Sequence, residues 1–352
     1  MQVDWGSRDA KFISAVKAMR HKMLQVGNVH GADSGYTMIP MQGSGSMGIE
    51  AILGSTVPPN GKVLIIKNGA YGDRMQKICR RLGIATVFLE FPESQTPDLT
   101  AVEAAMVRHP EITTVAVVHC ETTTGILNPI DKISELRRRH LPDAVYFVDA
   151  MSSFGGVPVD VAGLQIDYLC TSSNKCVQGV PGFSVIIANV HHLKQTEGWA
   201  RSLCLDLLAQ YSGLERSGQF NNTPPIQSIM AFKQALDEIE QEGWAEGRSR
   251  RYQANARVIV DGLKGLGFQT YLPEDDSFGW IILTFLAPTH PKWNFERFYT
   301  LLNDEGFVIY PGKLTEQDCF RIGCIGDLHP QDAQALVECV AATLDQMGIA
   351  LK

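Results

Sequence analysis

Between residues 62 and 189 the chain alternates short apolar runs with longer amphipathic ones. The runs KVLIIK (62–67), ATVFLE (85–90), TTVAVVHC (113–120), AVYFVDA (144–150), IDYLCTSS (166–173) and GFSVIIAN (182–189) read as strands. Most are apolar throughout rather than at alternate positions, the pattern of strands covered on both faces. Helical spacing fills residues 73–82, 99–108 and 130–140, and each stretch follows a start signal: Gly72, Pro97-Asp98 and Pro129. Such strand–helix–strand alternation predicts an α/β domain with a mainly parallel sheet.

After Thr223 the texture changes. Pro224-Pro225 opens a long helical pattern reaching about Leu266, followed by FQTYL, WIILTFLAP, a helix near Asn294–Asn303, FVIYPGK, CFRIGCIG and a last helix from Pro330. The division this suggests is a large domain over residues 1–240, then a connecting helix and a smaller C-terminal α+β domain over 241–352.

Composition removes several function classes. The 352 residues can bury a large core, and 45% hydrophobic with 20% charged residues is ordinary for a globular protein. A net charge of −7 argues against a nucleic-acid partner. No apolar run of about 18 residues suggests a membrane span, and the opening MQVDWGSRDAKF does not read as a signal peptide. The eight cysteines form no C-x-x-C pair and have no histidine at ligand spacing, so a reduced cytoplasmic protein without a metal is expected.

Three features carry candidate chemistry, two of them at strand ends. QGSGSMGIE (42–50) contains G-x-G-x-x-G, but the next strand ends in Lys67-Asn68, where a dinucleotide site needs an acid for the ribose. What remains is a Gly/Ser turn opening a helix, in which Ser44, Gly45 and Ser46 can cradle a single phosphate. Asp149 ends one apolar strand and Lys175 follows another, 26 residues later. Each alone also suits a cap, a turn or a solvated surface group. Together they meet the needs of pyridoxal-phosphate chemistry: an amine to form the imine and shuttle protons, a carboxylate for the ring nitrogen, and a phosphate anchor. Tyr71 in NGAYG is the candidate stacking partner, and Thr124 in ETTTG is the polar candidate near the ring oxygen. Arg321 interrupts an apolar strand, where a charge needs an anionic partner: a substrate carboxylate or an internal acid.

Taken jointly, DWGSRD (4–9), QGSGS (42–46), NGAYGDRM (68–75), ETTTGILNPI (121–130), VDAMSSFGG (148–156), SSNKCVQGVPGF (172–183), GFVIYPGK (306–313) and CFRIG (319–323) resemble the 2-aminoethylphosphonate:pyruvate transaminases. The resemblance covers nearly the whole chain. It implies a fold-type I pyridoxal-phosphate enzyme with a seven-stranded sheet, related to the alanine–glyoxylate and serine–pyruvate transaminases and working as a homodimer with interface active sites. It implies Lys175 as the imine lysine, Asp149 as the ring-nitrogen partner, Tyr71 stacking, and Ser44, Gly45, Ser46 and Asn174 on the phosphate. It further implies Arg321 on the substrate carboxylate and Thr223 reaching the neighbouring subunit's cofactor, with Arg8 and Arg321 as candidates for a phosphonate. The family ordinarily carries a further segment ahead of DWGSRD, and the stretch Phe220–Ile226 is closer to the general transaminase pattern. The rival readings are a related transaminase, a pyridoxal-phosphate lyase of the cysteine-desulfurase type, and a non-catalytic binding protein on the same fold.

Overall fold

The computed structural model describes residues 4–31, 33–312 and 317–351. The last residue of the GFVIYPGK motif, Lys313, lies outside them. The chain opens with helix α1 (Ala10–Val26), strand β1 (Tyr36–Gln42) and α2 (Gly45–Thr56). Then follow β2 (Lys62–Lys67), α3 (Ala70–Arg81), β3 (Ala85–Glu90), α4 (Leu99–Arg108), β4 (Thr114–Val118) and the short pair β5 (Cys120–Glu121) and β6 (Ile126–Leu127). Next come α5 (Ile130–His140), β7 (Val145–Asp149), β8 (Tyr168–Ser172), β9 (Phe183–Asn189), α6 (Val190–Leu193) and α7 (Leu207–Ser217). The C-terminal part holds α8 (Ile226–Gln241), α9 (Trp244–Gly265), β10 (Ile282–Leu286), α10 (Phe295–Asp304), β11 (Tyr310–Pro311), β12 (Cys319–Gly323) and α11 (Pro330–Met347).

Seven strands form the central sheet in the order β1-β9-β8-β7-β4-β2-β3. Five neighbours, β8, β7, β4, β2 and β3, run parallel, and β9 runs antiparallel to β8 and β1. The largely apolar strands β4, β7 and β8 are buried along their whole length. The sequence pattern did not single out β1. Its Pro40 is tolerated because β1 is an edge strand, paired on one side only.

A second core packs α9, α10 and α11 against the three-stranded antiparallel sheet β10-β12-β11, around Phe268, Phe285, Phe298 and Phe320. The long helix expected across 223–266 is corrected to two. Gly243 (φ 90°) and Trp244 (φ 61°) take left-handed backbone between α8 and α9, which no continuous helix accommodates. Gly243 was the available signal.

Candidate active site

Because the strands are parallel, β1, β2, β4, β7 and β8 all deliver their carboxyl ends to one edge of the sheet, where such sheets bind ligands. A cavity of about 290 Å³ opens there, lined by residues that include Ser44, Ser46, Tyr71, Asp149, Asn174 and Lys175.

At its first corner the chain leaves β1 through Gly43 (φ 107°) and enters α2 with Ser44 as N-cap. The Ser44 side chain makes no capping bond, so its hydroxyl and the first amides of α2 remain available to an anion. Gly45 lets the helix start lie against the strand-end residue Met151, since a Cβ there would fall 2.1 Å from the Met151 sulfur.

Asp149 is the last residue of β7 and is 1% exposed. Its Oδ1 accepts the Met151 N–H at 2.9 Å, while Oδ2 is buried with no hydrogen-bond partner. Burial pushes its carboxyl up to about 7; the Met151 N–H and the Arg74 charge oppose this, and the Glu121 charge adds to it. The Ser172 Oγ, at the end of β8, is likewise buried and unpartnered. Asn174 and Lys175 follow on an exposed turn at the cavity mouth.

Tyr71 sits in the first turn of α3. Buried Glu121 holds that turn, its Oε2 accepting the Tyr71 N–H at 3.1 Å and its Oε1 the Thr123 hydroxyl at 2.7 Å. Arg74 places its guanidinium 4.8 Å from the centre of the Tyr71 ring and donates from Nη1 to Ser46 Oγ at 2.8 Å. Arg321, 8% exposed on β12, forms no ion pair among the described residues. It donates instead to the carbonyls of Thr122 (2.6 Å) and Pro311 (3.1 Å), and Thr122 lines the cavity.

The class-V aminotransferase family model matches residues 6–317. The chain belongs to the class-V aminotransferases. It is 45% identical to the 2-aminoethylphosphonate–pyruvate transaminase of Vibrio vulnificus over 96% of this chain and 91% of that one. It is also 45% identical to a bifunctional phosphonoacetaldehyde hydrolase/aminoethylphosphonate transaminase of Clostridioides difficile, over 97% of this chain and 53% of that one. Ureidoglycine–glyoxylate aminotransferase of Bacillus subtilis superposes with a TM-score of 0.89 at 21% identity, covering 100% of this chain and 90% of that one.

Class-V aminotransferases work with pyridoxal phosphate, and the cavity of this one fits that group. The buried, unpartnered Asp149 Oδ2 suits the N–H of a protonated pyridine nitrogen, and the uncapped Ser44–Ser46 corner at the start of α2 suits a phosphate. Four residues named from the sequence are not among the cavity's lining: Arg321, which reaches it only through the Thr122 carbonyl, Thr124, Thr223 and Arg8. In the tight turn Glu121–Gly125 the Thr124 hydroxyl donates to the Glu93 carbonyl at 3.0 Å, and Thr124 is not among the lining residues. Thr223 and Arg8 are exposed and outside the cavity lining. Conversely, Arg74, Thr122 and Ser172 line the cavity without having been singled out. Arg74, three residues after Tyr71 on a helix, carried a readable signal; Ser172 did not.

Proposed function

We propose that the enzyme transfers the amino group of 2-aminoethylphosphonate to pyruvate, giving phosphonoacetaldehyde and L-alanine. The observation that carries this reading is the 45% identity, across nearly the whole chain, to proteins named for that reaction. It is joined to a cavity in which a lysine, an unpaired buried carboxylate and a phosphate-sized cradle converge.

Pyridoxal phosphate, when bound, supplies an aldehyde carbon that takes up the amino group and a ring that accepts the electron pair of the broken C–H bond. The chain's residues do the rest. Lys175 Nζ would hold the cofactor and then carry the proton from the donor's amino-bearing carbon. Asp149 Oδ2 would keep a proton on the ring nitrogen, Tyr71 would stack on the ring, and Ser44, Gly45, Ser46 and Asn174 would hold the phosphate. Arg321 receives the carboxylate of pyruvate; with Nε and Nη1 tied to carbonyls, Nη2 and the second Nη1 hydrogen remain for the substrate. Arg8 and Arg321 are the candidate cations for the phosphonate.

The same reading includes a homodimer in which Thr223 serves the neighbouring site. It is supported by the exposure of Thr223 outside its own cavity and by the half-exposed apolar side chains Met47 and Val180 beside the cradle and the lysine loop. We also read the domain division at residue 240, and a cytoplasmic location on the buried thiols of Cys79, Cys120, Cys170, Cys176 and Cys324. No helix among the described residues is long and apolar enough to cross a membrane.

The test supplies purified enzyme with pyruvate and either 2-aminoethylphosphonate, serine or another amino donor, and measures alanine. Expected is turnover with the aminophosphonate, lost by a factor of about 10³ or more in Lys175→Ala. Turnover with other donors but not with the aminophosphonate overturns the substrate and leaves the family intact.

A further inference from the structure

The cavity holds one cation that the reaction above does not use. Arg74 forms no ion pair among the described residues, although it is half-buried and lines the cavity beside the start of α2. Its guanidinium makes two contacts, the Tyr71 ring and the Ser46 hydroxyl.

The second contact fixes the direction of a proton. A serine hydroxyl has one hydrogen to donate and two lone pairs to accept with. The Arg74 N–H occupies one lone pair of Ser46 at 2.8 Å, and a guanidinium cannot accept in return. The Ser46 hydrogen is therefore left to be donated elsewhere, and no acceptor among the described residues takes it. An independent polar atom points to a ligand in the same cavity: Ser172 Oγ, on a residue 5% exposed, has no partner.

We propose that Arg74 is a positioning residue of the anion corner, which holds Ser46 as a donor toward a phosphoryl dianion and adds the unpaired positive charge there. The proposal rests on the cofactor reading and names its phosphate as the dianion. The phosphonate of the amino donor has the same chemistry and is separated by experiment. A carboxylate suits the corner less well, because a dianion with three oxygens can use two serine hydroxyls, the helix amides and the cation together.

The experiment measures binding of pyridoxal phosphate and of phosphate-free pyridoxal to the apoprotein, by the visible absorbance of the bound aldehyde. In Arg74→Gln, pyridoxal phosphate is expected to bind at least about tenfold more weakly, with pyridoxal changed less than about twofold. In a Ser46→Ala background the same substitution should cost less than it does in wild type, because the part of its effect that runs through that hydroxyl is already gone. If Arg74→Gln does not fold, Arg74→Lys keeps the charge and stem and should show a smaller loss that is still selective for the phosphate. Equal weakening of both ligands, an unchanged affinity for pyridoxal phosphate, or an undiminished loss in the Ser46→Ala background overturns the proposal. At saturating cofactor, the KM for 2-aminoethylphosphonate relative to that for alanine should be the same in Arg74→Gln and wild type. A selective rise for the phosphonate would assign the guanidinium to the substrate and overturn it. Wild-type protein that binds neither aldehyde overturns the cofactor reading itself, a result distinct from any variant effect.

Discussion

Asp149 combines a buried carboxyl, one satisfied oxygen and one orphan, so in the cofactor-free protein it is an acid held away from its preferred charge state. Its folded pKa of about 7 lies above the unfolded value near 3.8. The folded state therefore binds the proton more tightly. The stabilisation is fully present below the unfolded value and is lost as pH rises toward 7, on the order of 4 kcal/mol at most. Buried His119, lowered to about 4, acts oppositely over much of the same window, so wild type alone would hide the effect. The comparison with Asp149→Asn isolates it: in urea unfolding of the apoprotein the variant should match wild type near pH 4 and gain on it up to pH 7. A gap that does not grow with pH removes this account of Asp149. The variant should also lose transaminase kcat by roughly 10²–10³-fold, since a preorganised charge is gone. At this scale Asp149 and Lys175 were legible because both stand just beyond apolar strands. Ser172 was not, because an orphaned hydroxyl is defined by what surrounds it in space. Three consecutive threonines in one turn are indistinguishable by sequence, and it is the turn geometry that brings Thr122 to the cavity and the Thr124 hydroxyl to the Glu93 carbonyl.

Among the elements, α9 carries both the lysine turn and the small sheet. Arg248 Nη1 donates to the Cys176 carbonyl at 2.9 Å, and Arg251 Nη1 to the Gly326 carbonyl at 2.8 Å, just beyond the strand that bears Arg321. Gln178 closes the turn, its N–H donating to the Lys175 carbonyl at 2.8 Å and its side-chain amide to Tyr252 Oη at 2.7 Å and the Gly326 carbonyl at 2.5 Å. To do so Gln178 takes φ 65°, left-handed backbone that costs a non-glycine residue about 1–2 kcal/mol. A substitution pair separates the backbone cost from the side-chain bonds. Both Gln178→Gly and Gln178→Ala lose the amide contacts, at about 1–3 kcal/mol. Only alanine keeps the strain, so it should be the less stable by about 1 kcal/mol in urea unfolding, even after glycine's larger unfolded-state entropy. Alanine equal to or better than glycine would show that the turn carries no such cost. The periodicity of α9 was visible in the sequence and Gly243 marked its start, but the bonds to residues 176 and 326 join positions too far apart for any local pattern.

For the molecule as a whole, the sequence pattern conveyed the parallel sheet because strands buried on both faces are apolar throughout. The proposed second subunit leaves no such trace. Thr223 is exposed and absent from its own cavity, although the preceding Asn222 is held beside β1 by the Gln42 side-chain amide at 2.7 Å. If Thr223 serves the neighbouring cofactor, each site takes its lysine from one subunit and this threonine from the other. That arrangement has a consequence no monomeric site shares. Lys175→Ala homodimers have no lysine at either site, and Thr223→Ala homodimers should bind pyridoxal phosphate more weakly at both. When the two variants are mixed and allowed to exchange subunits, each hybrid dimer contains one site with neither lysine nor threonine and one with both. Random exchange should then restore wild-type cofactor affinity at roughly a quarter of all sites. Titration of the mixture at cofactor concentrations that leave the Thr223→Ala homodimer largely empty would show the recovered visible absorbance. A mixture that behaves as the sum of its components, despite exchange demonstrated by mass, would return Thr223 to its own subunit and remove the shared site.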